Sequence, residues 1–233
     1  MHSAEHRLSI IMPVLNESAG VADALQALQP LRAEGVQIIV VDGGSTDETV
    51  TLAAPLADLV VQSGAGRGRQ MNAGANQATG DALLFLHADT RLPAQADQLI
   101  LDALGKGAEW GRFDVSIAGS LRGLGMVAAM MNWRSRLTGI ATGDQGIFVR
   151  RDLFWQIGGF PVIPLMEDIV LSASLRKHGW PACLMQHVTT SGRRWEKHGL
   201  WRTIFKMWQL RLRFYFGADP ERLAREYGYA ASR

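Results

Sequence analysis

Short apolar runs alternate with helical stretches through the N-terminal half of the chain, and this alternation constrains the fold more than any other feature. Four strands are predicted, at residues 8–14, 36–41, 58–61 and 82–86. Helical segments at 21–33 and 48–54 separate them. A capping box, Ser45 followed by Glu48, is predicted to open the second of these helices. Alternating elements of this kind predict an α/β fold with a mainly parallel central sheet flanked by helices.

The C-terminal half has a looser pattern but no break. Strands are predicted at 110–117 and 146–150, and helices at 125–137 and 169–177. No linker, repeat or low-complexity tract interrupts the sequence. A length of 233 residues suits one hydrophobic core. We therefore expect a single domain across residues 1–233, in which the second half completes the sheet of the first.

The composition is ordinary for a globular protein, with 47% apolar and 20% charged residues. A formal net charge of +2 is too small to indicate a nucleic-acid partner. Cys183 is the only cysteine, which excludes an internal disulfide and a cysteine-based metal site and favours a cytoplasmic location. No segment has the roughly 18 consecutive apolar residues that a membrane-spanning helix needs. We therefore expect a cytoplasmic protein.

Polar side chains follow the first two predicted strands at the point where each strand ends. Pro13, Asn16 and Glu17 end the first strand. Asp42 and Gly43 end the second. In open α/β sheets ligands bind at the carboxyl ends of the strands, where a carboxylate can accept hydrogen bonds and a glycine lets the backbone approach a ligand. A strand-to-helix turn without a ligand is the alternative.

The fourth predicted strand ends in His87-Ala88-Asp89. Because side chains alternate along a strand, His87 and Asp89 are expected on the same face. Oxygen from Asp89, with His87, water or phosphate oxygens completing the shell, suits Mg²⁺ or Mn²⁺. A surface hydrogen bond between the two side chains is the alternative.

Three further segments carry charged or aromatic side chains that could bind a ligand or react with it. Residues 64–69 are rich in glycine, and Arg67 in this expected flexible loop suits a diphosphate. Glu167 and Asp168 begin a predicted helix, where Asp168 could act as a general base and helix capping is the alternative. Arg194 and Trp195 pair a cation with an indole, which could hold a phosphate and stack on a sugar or base, or form a surface loop.

Eight segments, taken in order, resemble the inverting family 2 glycosyltransferases of bacteria. They are IIMPVLNE, VVDGGSTDET, GRGRQMNAG, FLHADT, GDQGIFVRR, GGFP, MED and RRW, and they cover about residues 7–198. The resemblance implies a GT-A-like fold and a nucleotide-sugar donor, with a UDP-sugar favoured. The donor-binding residues that it implies are Pro13, Asn16, Glu17, Asp42, Gly43, Arg67, Asn72, His87 and Asp89. Glu167 and Asp168 then occupy the catalytic positions, with Asp168 as the base.

The family's D-x-D metal motif is only half matched, because His87 stands at its first acidic position. Asp89 therefore carries over as the metal ligand, with His87 and His187 as further candidates for Mg²⁺ or Mn²⁺. The residues implied to contact the diphosphate or the acceptor are Gly143, Asp144, Arg194 and Trp195. The chain is also similar to a small branch named for arsenosugars.

Three segments of the single domain follow from the same resemblance. Residues of about 1–105 would form the half that binds the nucleotide sugar, and about 106–198 the acceptor and catalytic half. From about 198 to 233 a helical extension is expected, because residues 198–216 show an amphipathic basic pattern. Its apolar positions are Trp201, Ile204, Phe205, Trp208 and Leu212.

Packing of this apolar face against the domain core is the favoured interpretation. The alternatives are peripheral contact with the inner face of an anionic membrane and a second copy of the chain in a homodimer. A lipid-linked acceptor would favour the membrane, and a small-molecule acceptor would not require it.

The predicted function is transfer of a sugar from a nucleoside-diphosphate sugar to a hydroxyl acceptor, with inversion, Asp168 as base and metal-assisted departure of the leaving group. Two alternatives stay open. A sugar-phosphate nucleotidyltransferase shares the layout and metal chemistry, but its glycine-rich, lysine-containing N-terminal loop is missing here. A non-catalytic module that binds nucleotide sugars would need no base.

Overall fold

An eight-stranded sheet runs through residues 7–228, the part of the chain that the computed structural model describes. The two ends of the predicted domain, residues 1–6 and 229–233, lie outside the described residues. The strands are β1 (Leu8–Val14), β2 (Gln37–Asp42), β3 (Leu59–Gln62), β4 (Ala82–Phe85), β5 (Thr90–Arg91), β6 (Trp110–Ala118), β7 (Ile147–Arg150) and β8 (Ala182–Ser191).

Helices cover both faces of this sheet. They are α1 (Val21–Gln26), α2 (Gln29–Ala33), α3 (Thr49–Ala53), α4 (Arg67–Gln77), α5 (Ala96–Gly105), α6 (Leu124–Thr138), α7 (Arg151–Gln156), α8 (Glu167–Leu175), α9 (Arg193–His198), α10 (Leu200–Tyr215) and α11 (Pro220–Tyr227). Successive residues of a strand enter different cores: Ile10 and Met12 pack on one face, Ile11 on the other. Because both faces are covered, the central strands are continuous apolar runs.

The strand order is β3-β2-β1-β4-β7-β6-β8-β5. Strands β1 to β4 are parallel where they pair, and β6 is parallel to β8, while β7 and β5 run antiparallel to their neighbours. The predicted mainly parallel α/β sheet is therefore confirmed, with two antiparallel strands within it. Because Ile147 pairs with Phe85, the turn that precedes β7 lies at the carboxyl edge of β4.

Two local predictions are wrong. The segment 21–33 is not one helix, because Pro30 lacks an N–H and forces a new helix, α2, to start beside it. The capping box does not form either. Ser45 accepts a hydrogen bond from the Asn16 N–H, and Glu48 makes no side-chain cap bond to α3.

Three elements have no clear sequence signal. The expected flexible loop at 64–69 is already helical from Arg67, where α4 begins. Strand β8 contains Met185, Gln186 and His187, all exposed, so its apolar alternation is weak. Strand β5 has two residues and exists only because it pairs with β8.

The apolar face of α10 points outward. Trp201, Phe205, Trp208 and Leu212 are 59% to 70% exposed. The opposite side of the helix, with Leu210, is buried in a small cluster with residues of α8 and α11. The predicted packing of this apolar face against the core is therefore wrong, because the amphipathic pattern locates the apolar stripe but not the side that is covered. Each helix of residues 7–228 is too short or too polar to cross a membrane.

Candidate active site

The loops after β1 and β2 are tied together at the carboxyl edge of the sheet. Asn16 donates its backbone N–H to Ser45 Oγ, and its Oδ1 accepts the Thr46 N–H, both at 2.9 Å. The next residue, Glu17, donates its N–H to Thr49 Oγ1 at 2.8 Å. These bonds hold Asn16 in the left-handed region, with φ 54°. The predicted donor-site residues Asn16 and Glu17 thus lie side by side at this edge.

Asp42 is buried at the end of β2, and its carboxylate organises the following turn. The carboxylate accepts the N–H groups of Gly44 and Ser45 at 3.0 to 3.1 Å. Pro13 lies on the neighbouring strand, where it pairs with Val41. Both predicted donor-site residues are therefore at the expected edge, although Asp42 already has partners within the protein.

Gln70 joins α4 to this edge, and nothing in its sequence motif signals that role. Its side-chain amide donates to the carbonyl oxygens of Val14 and Val41 at 2.8 and 2.9 Å. Gly43 lies directly on this amide, since a Cβ at Gly43 would come within 3.0 Å of it. Gly43 therefore serves close packing between the turn and α4.

Asn72, predicted to bind the donor, uses its side chain elsewhere. Its Oδ1 accepts the Phe160 N–H at 2.9 Å, and its Nδ2 donates to the Phe160 carbonyl at 2.8 Å. A Cβ at Gly159 would lie only 2.7 Å from that Oδ1. The Asn72 side chain thus binds the backbone of the GGFP segment, and its predicted contact with the donor stays a prediction.

Arg67 begins α4 and is exposed at the same edge. Its positive charge interacts with the carboxyl groups of Glu17, Asp144 and Glu167, which come from three separate segments. The N-terminus of a helix adds a partial positive charge at this position. The structure therefore brings Arg67 and these three acidic residues around one cleft.

A chain of contacts joins Asp168 to the end of β4. The Gly143 N–H donates to Asp168 Oδ2 at 2.9 Å. Gly143 also packs on the His87 ring, since a Cβ there would lie 2.6 Å from Nε2. The other ring nitrogen of His87, Nδ1, lies 3.3 Å from Asp144 Oδ1. The predicted residues His87, Gly143, Asp144 and Asp168 therefore form one connected group.

The same contacts set the ionisation of Asp144. Desolvation in the cleft disfavours its charged form, but the hydrogen bond from His87 and the charges of His87, Arg67 and Arg211 outweigh it, so the pKa of Asp144 is lowered. Its side chain is 46% exposed, which screens these charges in part. Asp144 is therefore held as a carboxylate beside the imidazole.

Asp168 begins α8 together with Glu167, after a strained residue. Met166 is buried and adopts φ 71°, in the left-handed region that non-glycine residues avoid. Burial raises the pKa of Glu167, and the neighbouring charge of Asp168 raises it further. Asp168 is half-buried, and its Oδ1 accepts the Ile169 N–H at 2.8 Å. The N-cap residue of α8 is Met166 and no side chain caps the helix, so the capping alternative is not observed for Glu167 or Asp168.

Glu17 and Asp89 form an acidic pair on the other side of the cleft. Burial raises the pKa of Glu17 and the charge of Asp89 raises it further, while Arg193 and Arg67 oppose the rise. The Asp89 side chain is half-buried and has no hydrogen-bond partner among residues 7–228. A bound cation would reduce the electrostatic repulsion between these two carboxyl groups.

The fit of a divalent metal to this site rests on Asp89. Within the described residues, no three His, Cys, Asp or Glu side chains form a group that could hold a metal ion by themselves. The unpartnered Asp89 carboxylate suits an ion that takes its remaining ligands from water and a diphosphate. His187 is exposed on β8 in register with Asp114, and its side chain makes no hydrogen bond within residues 7–228.

Arg194 and Trp195 lie in α9, directly after β8. The Arg194 guanidinium carbon is 4.0 Å from the centre of the Tyr227 ring, a cation–π contact. Both residues are half-buried. Because β8 ends at the same edge as β6, these residues follow the sheet edge that carries the other candidates.

Two arginines that no motif marks also approach Asp168. Arg134 on α6 and Arg211 on α10 each interact electrostatically with Asp168. The sequence places Arg211 among the basic residues of an amphipathic helix and assigns Arg134 no role, since their proximity depends on how two distant helices pack.

A cavity of about 510 Å³ lies at the opposite edge of the sheet, where Asp81, Arg151 and Trp155 line it. None of the predicted site residues is among its lining residues. The cleft described above is the site that the motifs identify.

Comparison with known families decides the relationship. Residues 9–158 match the family described as Glycosyl transferase family 2. The chain belongs to glycosyl transferase family 2. The matched region runs from β1 to α7, whereas β8 and the helices α8 to α11 lie beyond it.

Among relatives of this family 2 glycosyltransferase is the undecaprenyl-phosphate 4-deoxy-4-formamido-L-arabinose transferase of Pseudomonas aeruginosa. It is 25% identical over 162 residues, which are 61% of this chain and 46% of that protein. The PGL/p-HBAD biosynthesis glycosyltransferase of Mycobacterium bovis is 38% identical over 98 residues, 39% of this chain and 38% of that protein. The chain therefore spans less than half the length of these relatives.

Solved structures share the GT-A-like fold of this family 2 glycosyltransferase. The S. aureus TarS structure of residues 1–349 has a TM-score of 0.64 at 17% identity, covering 80% of this chain and 60% of that one. Glucosyl-3-phosphoglycerate synthase from Mycobacterium tuberculosis, in complex with Mn²⁺, UDP and glucosyl-3-phosphoglycerate, has a TM-score of 0.60 at 21% identity, covering 80% and 71%. At these identities the likeness shows the fold alone.

Proposed function

We propose that this chain is an inverting glycosyltransferase that moves a sugar from a nucleoside-diphosphate sugar to an acceptor hydroxyl. The observation that carries the proposal is the link from Asp168 through Gly143 to His87, two residues before Asp89. This link supports a candidate base and a candidate metal ligand at the same edge of the sheet. Family membership supports sugar transfer over nucleotidyl transfer and over a binding module without a base.

The proposed reaction is a single displacement. The acceptor oxygen attacks the anomeric carbon as Asp168 takes the hydroxyl proton, and the bond from that carbon to the diphosphate oxygen breaks. The nucleoside diphosphate leaves with the electron pair, and the configuration inverts. Arg67 and Arg194 would stabilise the negative charge on the diphosphate. Burial and the charge of Asp168 raise the pKa of Glu167, so this carboxyl group takes up a proton more readily than an exposed glutamate does.

We propose Asp89 as the residue that holds Mg²⁺ or Mn²⁺ with the donor. The ion would supply charge neutralisation at the diphosphate. His87 is engaged on both sides of its ring by Asp144 and Gly143, so a positioning role suits it better than ligation. His187 is the less favoured ligand, because it pairs with Asp114 within the strands β6 and β8 and does not follow the end of a strand.

UDP is the proposed donor nucleotide. One solved neighbour is described in complex with UDP-GlcNAc and another with UDP and Mn²⁺, whereas a third holds GDP-Man and Mn²⁺. Pro13, Glu17, Asp42 and Gly43 would contact the nucleoside from the edge of β1 and β2. The resemblance to the branch named for arsenosugars stays a prediction and names no acceptor.

Peripheral contact with the inner face of a membrane is proposed for α10, and a homodimer is the alternative. The exposed Trp201, Phe205 and Trp208 lie beside exposed Arg202 and Lys206, a combination typical of helices on anionic lipid. A relative whose name includes undecaprenyl phosphate supports a lipid-linked acceptor.

The test is calorimetric binding of UDP, GDP and CMP, with and without Mn²⁺, to the wild type and to Asp89→Ala. Metal-dependent binding of one nucleotide, lost in Asp89→Ala, is the expected result. His187→Ala should bind like the wild type. If none of the three nucleotides binds, the proposed UDP donor is excluded. If binding survives in Asp89→Ala with full metal dependence, the metal assignment is wrong.

A further inference from the structure

Two arginines from different helices hold unpartnered nitrogen atoms beside Asp168. The Nε and Nη2 atoms of Arg134 and the Nε atom of Arg211 are closed off from solvent, and they have no hydrogen-bond partner among residues 7–228. Buried N–H donors almost always have a partner in folded proteins, because leaving one unsatisfied costs stability. These nitrogens therefore call for an acceptor that the protein itself does not provide.

The charges around Arg134 and Arg211 also favour a bound anion. Burial and the positive charges of Arg211 and Arg112 lower the pKa of Arg134 to about 10, although the charge of Asp168 opposes them. Burial likewise lowers the pKa of Arg211, while Asp168 and Asp144 oppose it. Two like charges are thus held close together beside carboxylates that form no salt bridge with them within residues 7–228. An anion between them would remove both the repulsion and the unsatisfied donors.

The two helices approach each other at two points. A Cβ at Gly123, which precedes α6, would come within 2.8 Å of Leu200 at the start of α10. Arg134 and Arg211 each lie about three turns further along their helices and interact with one another. The helices therefore run in the same direction, and the arginines sit on the flanks that face each other.

The outer side of both helices is apolar. On α6, Met126, Met130, Trp133 and Leu137 are 43% to 66% exposed, and α10 carries its own exposed apolar stripe. The same two helices thus combine a charged inner flank beside Asp168 with an apolar outer side.

We propose that Arg134 and Arg211 bind a phosphate group of the acceptor and so place its hydroxyl beside Asp168. The inference rests on the proposed function, because Asp168 identifies the acceptor side of the cleft. Neither arginine belongs to the loops after β1, β2 and β4 that would hold the donor. A phosphate offers three acceptor oxygens, which suits two guanidinium groups better than a neutral sugar hydroxyl does.

A soluble phosphate ester and a lipid phosphate present the same group to this site. The probes are therefore glycerol 3-phosphate and vesicles of phosphatidylcholine containing phosphatidic acid, compared with vesicles of equal charge containing phosphatidylglycerol. Each is added to full-length protein already saturated with UDP and Mn²⁺, so that the donor site is occupied. Preference for phosphatidic acid identifies the lipid source, and binding of glycerol 3-phosphate without that preference identifies the soluble one.

The variants are Arg134→Met and Arg211→Met, with Arg7→Met as the matched control, an exposed arginine directly before β1 and at the opposite end of that strand from the site. Phosphate binding should weaken by about tenfold or more in the first two and stay unchanged in the control. Lysine at either position should restore part of the binding. Phosphate binding that survives both methionine variants overturns the proposal, and so does an equal loss of UDP affinity, which would assign the arginines to the donor.

Thermal unfolding separates a binding role from a structural one. Without phosphate, the methionine variants should melt at a higher temperature than the wild type, because an unsatisfied charge is removed. Glycerol 3-phosphate should then raise the melting temperature of the wild type only. A lower melting temperature in both variants without phosphate would show that the arginines stabilise the fold, and would overturn the proposal. If the wild type does not bind UDP, the proposed donor use is refuted. Binding of phosphate to the wild type and the variants can still be measured and interpreted separately.

Discussion

The Gly143 N–H donates a hydrogen bond to Asp168 Oδ2 at 2.9 Å, which joins the turn before β7 to the first turn of α8. The same glycine packs on the His87 ring, two residues before Asp89. Gly143 therefore helps to set the distances between the turn before β7, the start of α8 and the end of β4. The position of the proposed base is set by this turn rather than by α8 alone.

Gly143→Ala should disturb this arrangement. Its new Cβ would lie 2.6 Å from two atoms of the His87 ring, which is also tied to Asp144. Overpacking of this kind costs about 1–3 kcal/mol of stability. We expect a lower melting temperature and a reduced rate of UDP release from a UDP-sugar. Gly125→Ala, where a Cβ meets nothing within 4 Å, is the control, and it should keep the wild-type melting temperature and rate of UDP release. Wild-type behaviour of Gly143→Ala would show that the contact is not needed.

Asp168→Asn should abolish sugar transfer while keeping donor binding. The amide preserves the shape of the side chain but cannot take the acceptor proton, and loss of a general base costs about a hundredfold or more in rate. Asp152→Asn is the matched control, because Asp152 also accepts the next residue's N–H at 2.8 Å but lies at the opposite edge of the sheet. The measurement is single-turnover transfer with UDP affinity determined in parallel. Equal loss of UDP affinity in Asp168→Asn would count against the base assignment.

The stability of the wild type should fall at higher pH through Glu167. Burial and the charge of Asp168 raise its pKa above the ordinary value of 4.5. The folded state therefore favours the protonated acid, and this contribution is complete below the unfolded pKa and lost as the pH rises through the folded pKa. Glu167→Gln should remove that loss.

Urea unfolding at about pH 5 and about pH 8 measures this effect. The Glu167→Gln variant should gain stability relative to the wild type at the higher pH. Glu196→Gln provides the opposite case, because hydrogen bonds from Ser120 lower the pKa of Glu196 and its contribution is lost as the pH falls. An identical pH dependence in wild type and Glu167→Gln would refute the assignment.

Removal of an exposed aromatic from α10 should weaken membrane contact. Trp208→Ser takes away a side chain that is 61% exposed, so its effect on stability should be small. If it inserts into lipid, its loss should weaken binding to phosphatidylcholine–phosphatidylglycerol vesicles by about tenfold. Trp180→Ser, at a site 57% exposed but outside α6 and α10, is the control.

Co-sedimentation with vesicles and the mass of the protein in solution are measured together. A wild-type monomer that binds vesicles less well after Trp208→Ser supports the membrane. A wild-type dimer that dissociates in Trp208→Ser, with no vesicle binding, would identify a second copy as the occupant of this face.

The sheet edge and its motif residues could be predicted because their signals are local. Alternating apolar runs predicted β1 to β4, and the strand ends located Glu17, Asp42 and Asp89. The role of Asn72 could not be predicted, because its partner Phe160 is far away in sequence. Strand β8 was missed because three consecutive exposed residues break its apolar alternation.

The sequence by itself determined the α/β class, the family and the apolar stripe of α10, because hydrophobic periodicity and motif spacing are properties of short segments. Only the tertiary structure decided that this stripe faces outward, that Gly143 holds Asp168, and that Arg134 and Arg211 meet beside it. Those relationships depend on how α6, α8 and α10 pack around the cleft. Contacts between distant segments are set by the burial of the whole chain, which no short segment encodes.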